Sequence, residues 1–416
     1  MGVRLTTMRI ILPGVLSIFV VLVALNSMDP AVGKVDPTYG HIRILCIGES
    51  YYPETPLPII LRADPRIRYY PIPASFSIRL GRKEDVLKLM RQYMPRTYGR
   101  LVDICDVILM SDFEVDVLTD EQLEWMEECV GQGGIGIGKY EMNWDPTYFK
   151  TFDLFVASAL YRVFPTDLLP GRSIPRPLDG IYPVSLPDTG RPHPMLDLPE
   201  IRNYKLLGPG DYGYEIPRPG ATVVARFRPK GEDAMVVWTY GNGRSLASLP
   251  GLDKIDGASL VQWPYAVDFW TNQVWYLAAL EIPKDVGVLH QLREMSLGYI
   301  SARLLATSVI EFAEKFGAST QPVYEELAQV DTIKAEADRL YLEGSYQESL
   351  EMMEGAFDGL GKVSKDSMRM REKALFWIYL VEWFVVTGTS MVAGFALWSL
   401  MVRRRLYREV ALTRLR

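Results

Sequence analysis

The sequence predicts an α/β domain with a flavodoxin-like, doubly wound and mostly parallel sheet, followed by an α-helical stalk and a C-terminal transmembrane helix. Three observations predict it. Short apolar runs alternate with segments of helical apolar spacing between residues 41 and 282, which implies parallel strands with helices on both faces. Residues 285–373 contain few prolines and read as helix throughout. From Ala374 to Val402 there is one charge in 29 residues, Glu382, and then three arginines in a row.

The first element, Ile10–Leu25, is an uncharged apolar run of 16 residues behind Arg4 and Arg9. At about 1.5 Å per residue it crosses about 24 Å of a bilayer core of about 30 Å. Residues 1–27 therefore read as a signal anchor or a cleaved signal peptide, and in both cases the α/β domain is exported. His41–Gly48 is a buried strand ending in glycine, and Ile67–Pro73 is a second strand. Lys83–Met94 is a helix with Val86, Leu87, Leu89 and Met90 on its apolar side, and Ile104–Met110 is a third strand. Thr119 and Gln122 make a capping box for a helix whose apolar side is Leu123, Met126, Cys129 and Val130. Gly131–Gly134 breaks that helix and Ile135–Lys139 is a fourth strand.

Proline and glycine are frequent from Pro165 to Pro219, which predicts long loops with short strands. Val223–Phe227 and Met235–Thr239 read as strands. Gly241-Asn242-Gly243 is a turn leading to a further strand, Ser245–Leu249. Tyr265–Leu280 is a helix rich in Trp and Phe that closes the domain at about residue 282. Within the stalk, Ala335–Leu360 resembles one tetratricopeptide-type hairpin, with Ala337, Tyr341, Gly344, Tyr346, Leu350 and Ala356 at matching places and no second copy. The transmembrane helix, residues 376–402, places Glu382 at the outer interface beside Trp383. Gly388, Ser390, Gly394 and Ala396 give it a side suited to close helix packing. Arg403–Arg405 set the tail, residues 403–416, in the cytoplasm by the positive-inside rule, so the main domain lies outside the cell membrane.

Composition and charge narrow the function classes. With 48% apolar and 23% charged residues the chain is ordinary globular protein. The tail carries six arginines against Glu409, and Arg4 and Arg9 add two charges at the front. The formal −6 thus leaves about −13 between them. A domain so acidic repels nucleic acid, which is rejected as a partner. Three cysteines, Cys46, Cys105 and Cys129, are too few for a disulfide framework or a zinc site and sit in apolar surroundings. No cofactor is expected. Nor is a metal site, because three scattered histidines supply too few ligands.

Two glycine motifs fail on context. Gly131–Gly136 satisfies G-x-G-x-x-G, and Gly133–Lys139 satisfies the first seven positions of a phosphate loop, with Tyr140 where Ser or Thr should be. A phosphate cradle follows a strand and opens a helix, whereas these glycines follow a helix and open a strand. The strand-to-turn position falls later, at Gly138-Lys139-Tyr140-Glu141, where a nucleophile elbow would present Ser or Cys.

Cys105–Asp112, Leu118–Leu123 and Val130–Gly138 together resemble class I glutamine amidotransferase-like domains, in particular the non-amidotransferase branch that includes trehalose-utilisation-type proteins. His193-Pro194, the hairpin within Gly241–Gly251 and the helix Phe269–Leu280 match later features of that branch. The resemblance covers residues 41 to about 282. It implies the flavodoxin-like fold but not the activity, since the elbow holds no cysteine and neither His193 nor His290 begins a His-x-Glu pair. Without a thiolate there is no acyl-enzyme.

Other chemistry in the same crevice would fall to Glu49, Asp112 and Glu114, Lys139, Tyr140 and Glu141 at the strand ends, with His193 folding over them. Glu49, Asp112, Glu141 and His193 are the candidate catalytic set, and these four with Lys139 and Tyr140 line the candidate ligand crevice. The plainer alternative makes Glu49 and Glu141 solvated, or partners of Lys139. Three functions are expected from these features. The first is a catalytically inactive, membrane-anchored extracytoplasmic binding or assembly protein. The second is an exported hydrolase or isomerase acting on a sugar-like substrate through those carboxylates. The third is a structural subunit packing through Glu382, Gly388 and Gly394. Expected partners are the membrane, another membrane protein or a small polar ligand.

Overall fold

A computed structural model describes residue 35 and residues 40–48, 57–74, 83–111, 113, 115–140, 152–174, 184–185, 192–199, 201, 212–227, 233–248, 263–284 and 286–413. The N-terminal apolar segment lies outside them. The chain divides into two compact units, residues 1–297 with 339–347, and residues 298–338 with 348–416.

The first unit is built on one eight-stranded sheet. Strands β1 (Ile42–Gly48), β2 (Ile67–Pro73), β3 (Val107–Ser111) and β4 (Gly136–Tyr140) overlap the four strands expected from the sequence. β5 (Thr166–Ile174) and β7 (Tyr212–Pro217) form a separate antiparallel pair. The main sheet is completed by β6 (Val184–Ser185), β8 (Thr222–Phe227), β9 (Asp233–Tyr240) and β10 (Gly243–Ser248). Its order is β2-β1-β3-β4-β10-β9-β8-β6. The first five are mutually parallel, and β9, β8 and β6 continue the sheet antiparallel.

Helices cover both faces of the parallel part. On one face Leu45, Ile47, Ile108, Met110 and Ile137 join a core with α2 (Lys83–Tyr93), α3 (Tyr98–Ile104) and α4 (Asp120–Gly131). The alternate residues of β4 face α6 (Ala266–Leu277), where Tyr140 meets Trp270 edge-on at 5.5 Å. Close approach on this face requires glycine at 136, since a Cβ there would stand 2.2 Å from the Leu277 carbonyl oxygen. The glycine-rich run thus serves backbone packing. The Thr119–Gln122 capping box forms in full at the start of α4.

Three short helices were not foreseen: α1 (Leu57–Arg62), α3, and α5 (Phe152–Ala157). The third strand consequently begins at Val107, three residues later than expected, and Ile104 ends α3. That helix is started by Thr97, whose side chain accepts the Arg100 amide N–H, and only Leu101 is fully buried.

After residue 285, α7 (Val286–Lys315), α8 (Gln321–Glu343) and α9 (Tyr346–Thr413) succeed one another. Gly344, between α8 and α9, adopts φ +84°, a left-handed conformation that suits glycine at a helix end. Within the second unit, Arg303 and Tyr299 both bind the Asp331 carboxylate at 2.8 Å. Gly359 admits Val330, and Leu350, Met353, Ala356, Leu360 and Val363 form the buried side of α9. The later half of α9 is long and apolar enough to cross a membrane, and none of its apolar window is buried. Gly388 and Gly394 have open space around them, and Glu382 is exposed.

Candidate functional site

Three places in the first unit bring polar chemistry together. The first is the carboxyl end of β4. Backbone alternation sends Lys139 to one face of the sheet and Tyr140 to the other. Lys139 is buried, and its ammonium donates to Glu215 Oε1 at 2.6 Å and to Thr166 Oγ1 at 3.4 Å. Thr166 in turn donates to Glu215 Oε2 at 2.5 Å. Burial lowers the Lys139 pKa and the Glu215 charge opposes that shift. Among the described residues Lys139 thus pairs with Glu215, 76 residues away on β7. Glu215 is carried there by the β5–β7 pair, which also supplies Thr166. Tyr140 is 1% exposed, and burial raises its pKa. Both groups are bound into the fold. At the adjacent end of β1, Gly48 adopts φ +110°, and a Cβ there would stand 1.9 Å from the Ser111 carbonyl oxygen. The four carboxylates assigned to this crevice, Glu49, Asp112, Glu114 and Glu141, lie outside the described residues.

His193 is not part of that crevice. The expected fold-over is corrected: His193 stands at the opposite, amino end of the parallel strands. Its ring meets Tyr276 edge-on at 5.0 Å, and both line one cavity with Arg244. Arg244 precedes Ser245, the β10 partner of Ile137, and so lies level with the start of β4. The sequence at 193–196 explains the placement. His193 caps the short 3-10 turn Pro194–Leu196, and its Nδ1 accepts the Met195 amide N–H at 3.4 Å. Burial, with the Arg244 charge as the lesser cause, lowers its pKa to about 4. The ring is therefore neutral at pH 7, with its proton on Nε2. The cavity has a volume of about 1090 Å³.

The third place is an ionic network that sequence reasoning missed. Arg293 of α7, 1% exposed, donates to Asp64 at 2.9 and 3.2 Å, to Asp268 at 2.8 Å and to Asn272 at 3.2 Å. Asp64 also accepts the Trp275 indole N–H at 3.0 Å and the Arg66 amide at 2.9 Å. His290 Nδ1 lies 2.7 Å from the second Asp268 oxygen. Burial alone would lower the Arg293 pKa, but Tyr341, Asp64 and Asp268 outweigh it and raise the pKa well above the ordinary value. Tyr341 belongs to the segment 339–347 of this unit, which Arg66 also holds through the Leu342 carbonyl at 2.9 Å. Arg293, Asp64 and Asp268 are closed to solvent, so their chemistry is structural. One signal was available in the sequence: Arg293 falls between Leu289, Leu292 and Tyr299 on a helix's apolar side, and Asp268 is the single charge in its helix.

All three cysteines are buried. Burial pushes the Cys46 thiol up to about 12, and the Cys105 thiol donates to the Leu101 carbonyl at 3.3 Å. Among the described residues no group of three or more His, Cys, Asp or Glu is placed to hold a metal ion.

No family model matches the chain, and no curated protein matches it. Among solved structures, the chain is similar to the Cytoplasmic Protein STM3548 from Salmonella typhimurium, with a TM-score of 0.43 and 18% identity over 57% of this chain and 99% of that one. The Cytoplasmic Protein STM1381 from Salmonella typhimurium LT2 gives a TM-score of 0.44 and 19% identity, again over 57% and 99%. The exo-beta-1,4-mannosidase Op5Man5 from Opitutaceae bacterium strain TAV5 gives 0.31 and 13%, over 58% of this chain and 36% of that one.

Proposed function

We propose that this chain is a membrane-anchored extracytoplasmic binding or assembly protein, whose α/β unit is built like a class I glutamine amidotransferase-like domain and lacks its catalysis. The observation that carries this reading is the end of β4. Where an elbow would present a nucleophile, Lys139 and Tyr140 are locked into contacts with Glu215 and Trp270. Each of the three thiols is enclosed in the core, so no thiolate is available for attack. The strand order β2-β1-β3-β4-β10, with helices on both faces, supports a flavodoxin-like winding. The exposed apolar half of α9 supports anchoring, and Arg403–Arg405 behind it support a cytoplasmic tail.

A sugar-directed hydrolase or isomerase is the poorer reading, because His193 stands away from the strand ends that would supply its carboxylates. A role as a packing subunit within the membrane is favoured by one observation: Gly388 and Gly394 leave the surface of α9 open to close approach.

The test is purification of the full chain in mild detergent, identification of the proteins that accompany it, and the same purification of Glu49→Gln and Glu141→Gln. Retained capture by both variants is the expected result. Turnover of a glycan panel by the wild type, abolished in either variant, would replace the binding reading with the enzymatic one. Loss of capture in Gly394→Leu with an intact α/β unit would assign the partner to the membrane helix.

A further inference from the structure

The amino end of the sheet holds a cavity that no expectation from the sequence concerned. It is built from the His193 turn, the start of β10 and the segment after α6. Arg244 is half-buried. One guanidinium N–H binds the Tyr276 carbonyl at 3.0 Å, and the guanidinium lies 4.9 Å from the centre of the Tyr276 ring. That bond and stacking fix its plane, and the rest of the fork has no hydrogen-bond partner among the described residues. A guanidinium so held is preorganised for a planar oxyanion. His193 lines the same cavity. Since its Nδ1 is committed to the Met195 amide, its Nε2–H is a neutral donor.

Charge decides the kind of anion. The lining carries Arg244 and Lys284 against Asp197 and Glu281, so the cavity has no net positive charge. A dianion gains little there. A carboxylate whose molecule brings its own donors satisfies both kinds of side chain. We propose that this cavity binds a small carboxylic acid that also carries amine or hydroxyl donors, with its carboxylate on Arg244 and His193 and its donors toward Asp197 and Glu281. Amino acids and sugar acids share that chemistry. At about 1090 Å³ the cavity is large enough for one such molecule with accompanying water. The proposal is independent of whether the strand ends at the opposite edge perform catalysis.

The experiment is calorimetric titration of the full chain in detergent with L-alanine, L-glutamate, D-galacturonate and inorganic phosphate. Saturable binding of at least one carboxylate is the expected result, and whether amino acid or sugar acid binds identifies the source. Arg244→Gln should weaken that binding about 10- to 100-fold. His193→Asn preserves an acceptor for the Met195 amide while removing the Nε2 donor, so it should stay folded and weaken binding about 5- to 10-fold. The proposal is overturned by binding of phosphate alone. It is equally overturned by no saturable binding of any carboxylate, or by carboxylate binding that is unchanged in folded His193→Asn.

Discussion

Replacing Arg293 by methionine removes the cation that bonds two buried carboxylates, Asp64 and Asp268, both 0% exposed. Four hydrogen bonds go with it, at 2.8 to 3.2 Å. Breaking one side of a buried ion pair costs about 3–5 kcal/mol, because the remaining charge is left without compensation. Here the remaining charges keep some support. Asp64 retains the Trp275 indole and the Arg66 amide, and Asp268 retains His290. The loss therefore falls toward the lower end, about 3 kcal/mol. Arg293→Met/Asp64→Asn/Asp268→Asn removes the stranded charges and should recover at least about 1 kcal/mol of it. The assay is urea unfolding of the detergent-solubilised chain, followed by tryptophan fluorescence, to which Trp275 within the network contributes. Arg303→Met provides the contrast. Its partnership with Asp331 is partly exposed and should be worth about 1 kcal/mol or less. Equal losses in Arg293→Met and Arg303→Met would refute the assignment of the buried network as the stronger support.

Two further outcomes concern the first unit. His193 has a pKa lowered from 6.5 to about 4, so the unfolded chain binds more protons between those values. Stability therefore rises with pH through that window and is lost as pH falls from about 6.5 toward 4; screening at the partly exposed ring limits the effect to about 1–2 kcal/mol. Melting temperatures at pH 7 and pH 4.5 should converge in His193→Asn relative to wild type, and an unchanged difference would contradict the origin in this ring. Ala279 ends α6 with φ +58°, its amide bonded to the Tyr276 carbonyl and that of Leu280 to Trp275, an arrangement that favours glycine. Ala279→Gly should raise stability by about 0.5–1 kcal/mol, the left-handed penalty less the added freedom of the unfolded chain. A loss in the same urea assay would count against it.

Elements were legible where local chemistry decides them. β1 and β2 announce themselves as apolar runs, and the start of α4 by the Thr119–Gln122 box. Helix α3 was hidden because its Leu101, Val102 and Ile104 run straight into the apolar strand residues from Val107 onward. Thr97 is the cap that marks its start. The site was legible only in part, because its partners meet through the fold. Lys139 and Glu215 are 76 residues apart, and Asp64 and Arg293 are 229 apart. His193 was placed in the wrong crevice for the same reason. Its own neighbours, Pro194 and Met195, predict a tight turn, but nothing local says which end of the sheet the turn covers.

The most direct test of the central claim, that the α/β unit binds without performing amidotransferase chemistry, is ammonia release from L-glutamine by the full chain in detergent. The expected result is release no faster than the protein-free blank, with Cys46, Cys105 and Cys129 unlabelled by maleimide until the chain is unfolded. Glutamine-dependent ammonia release that is lost on alkylation of any one of these thiols would contradict it.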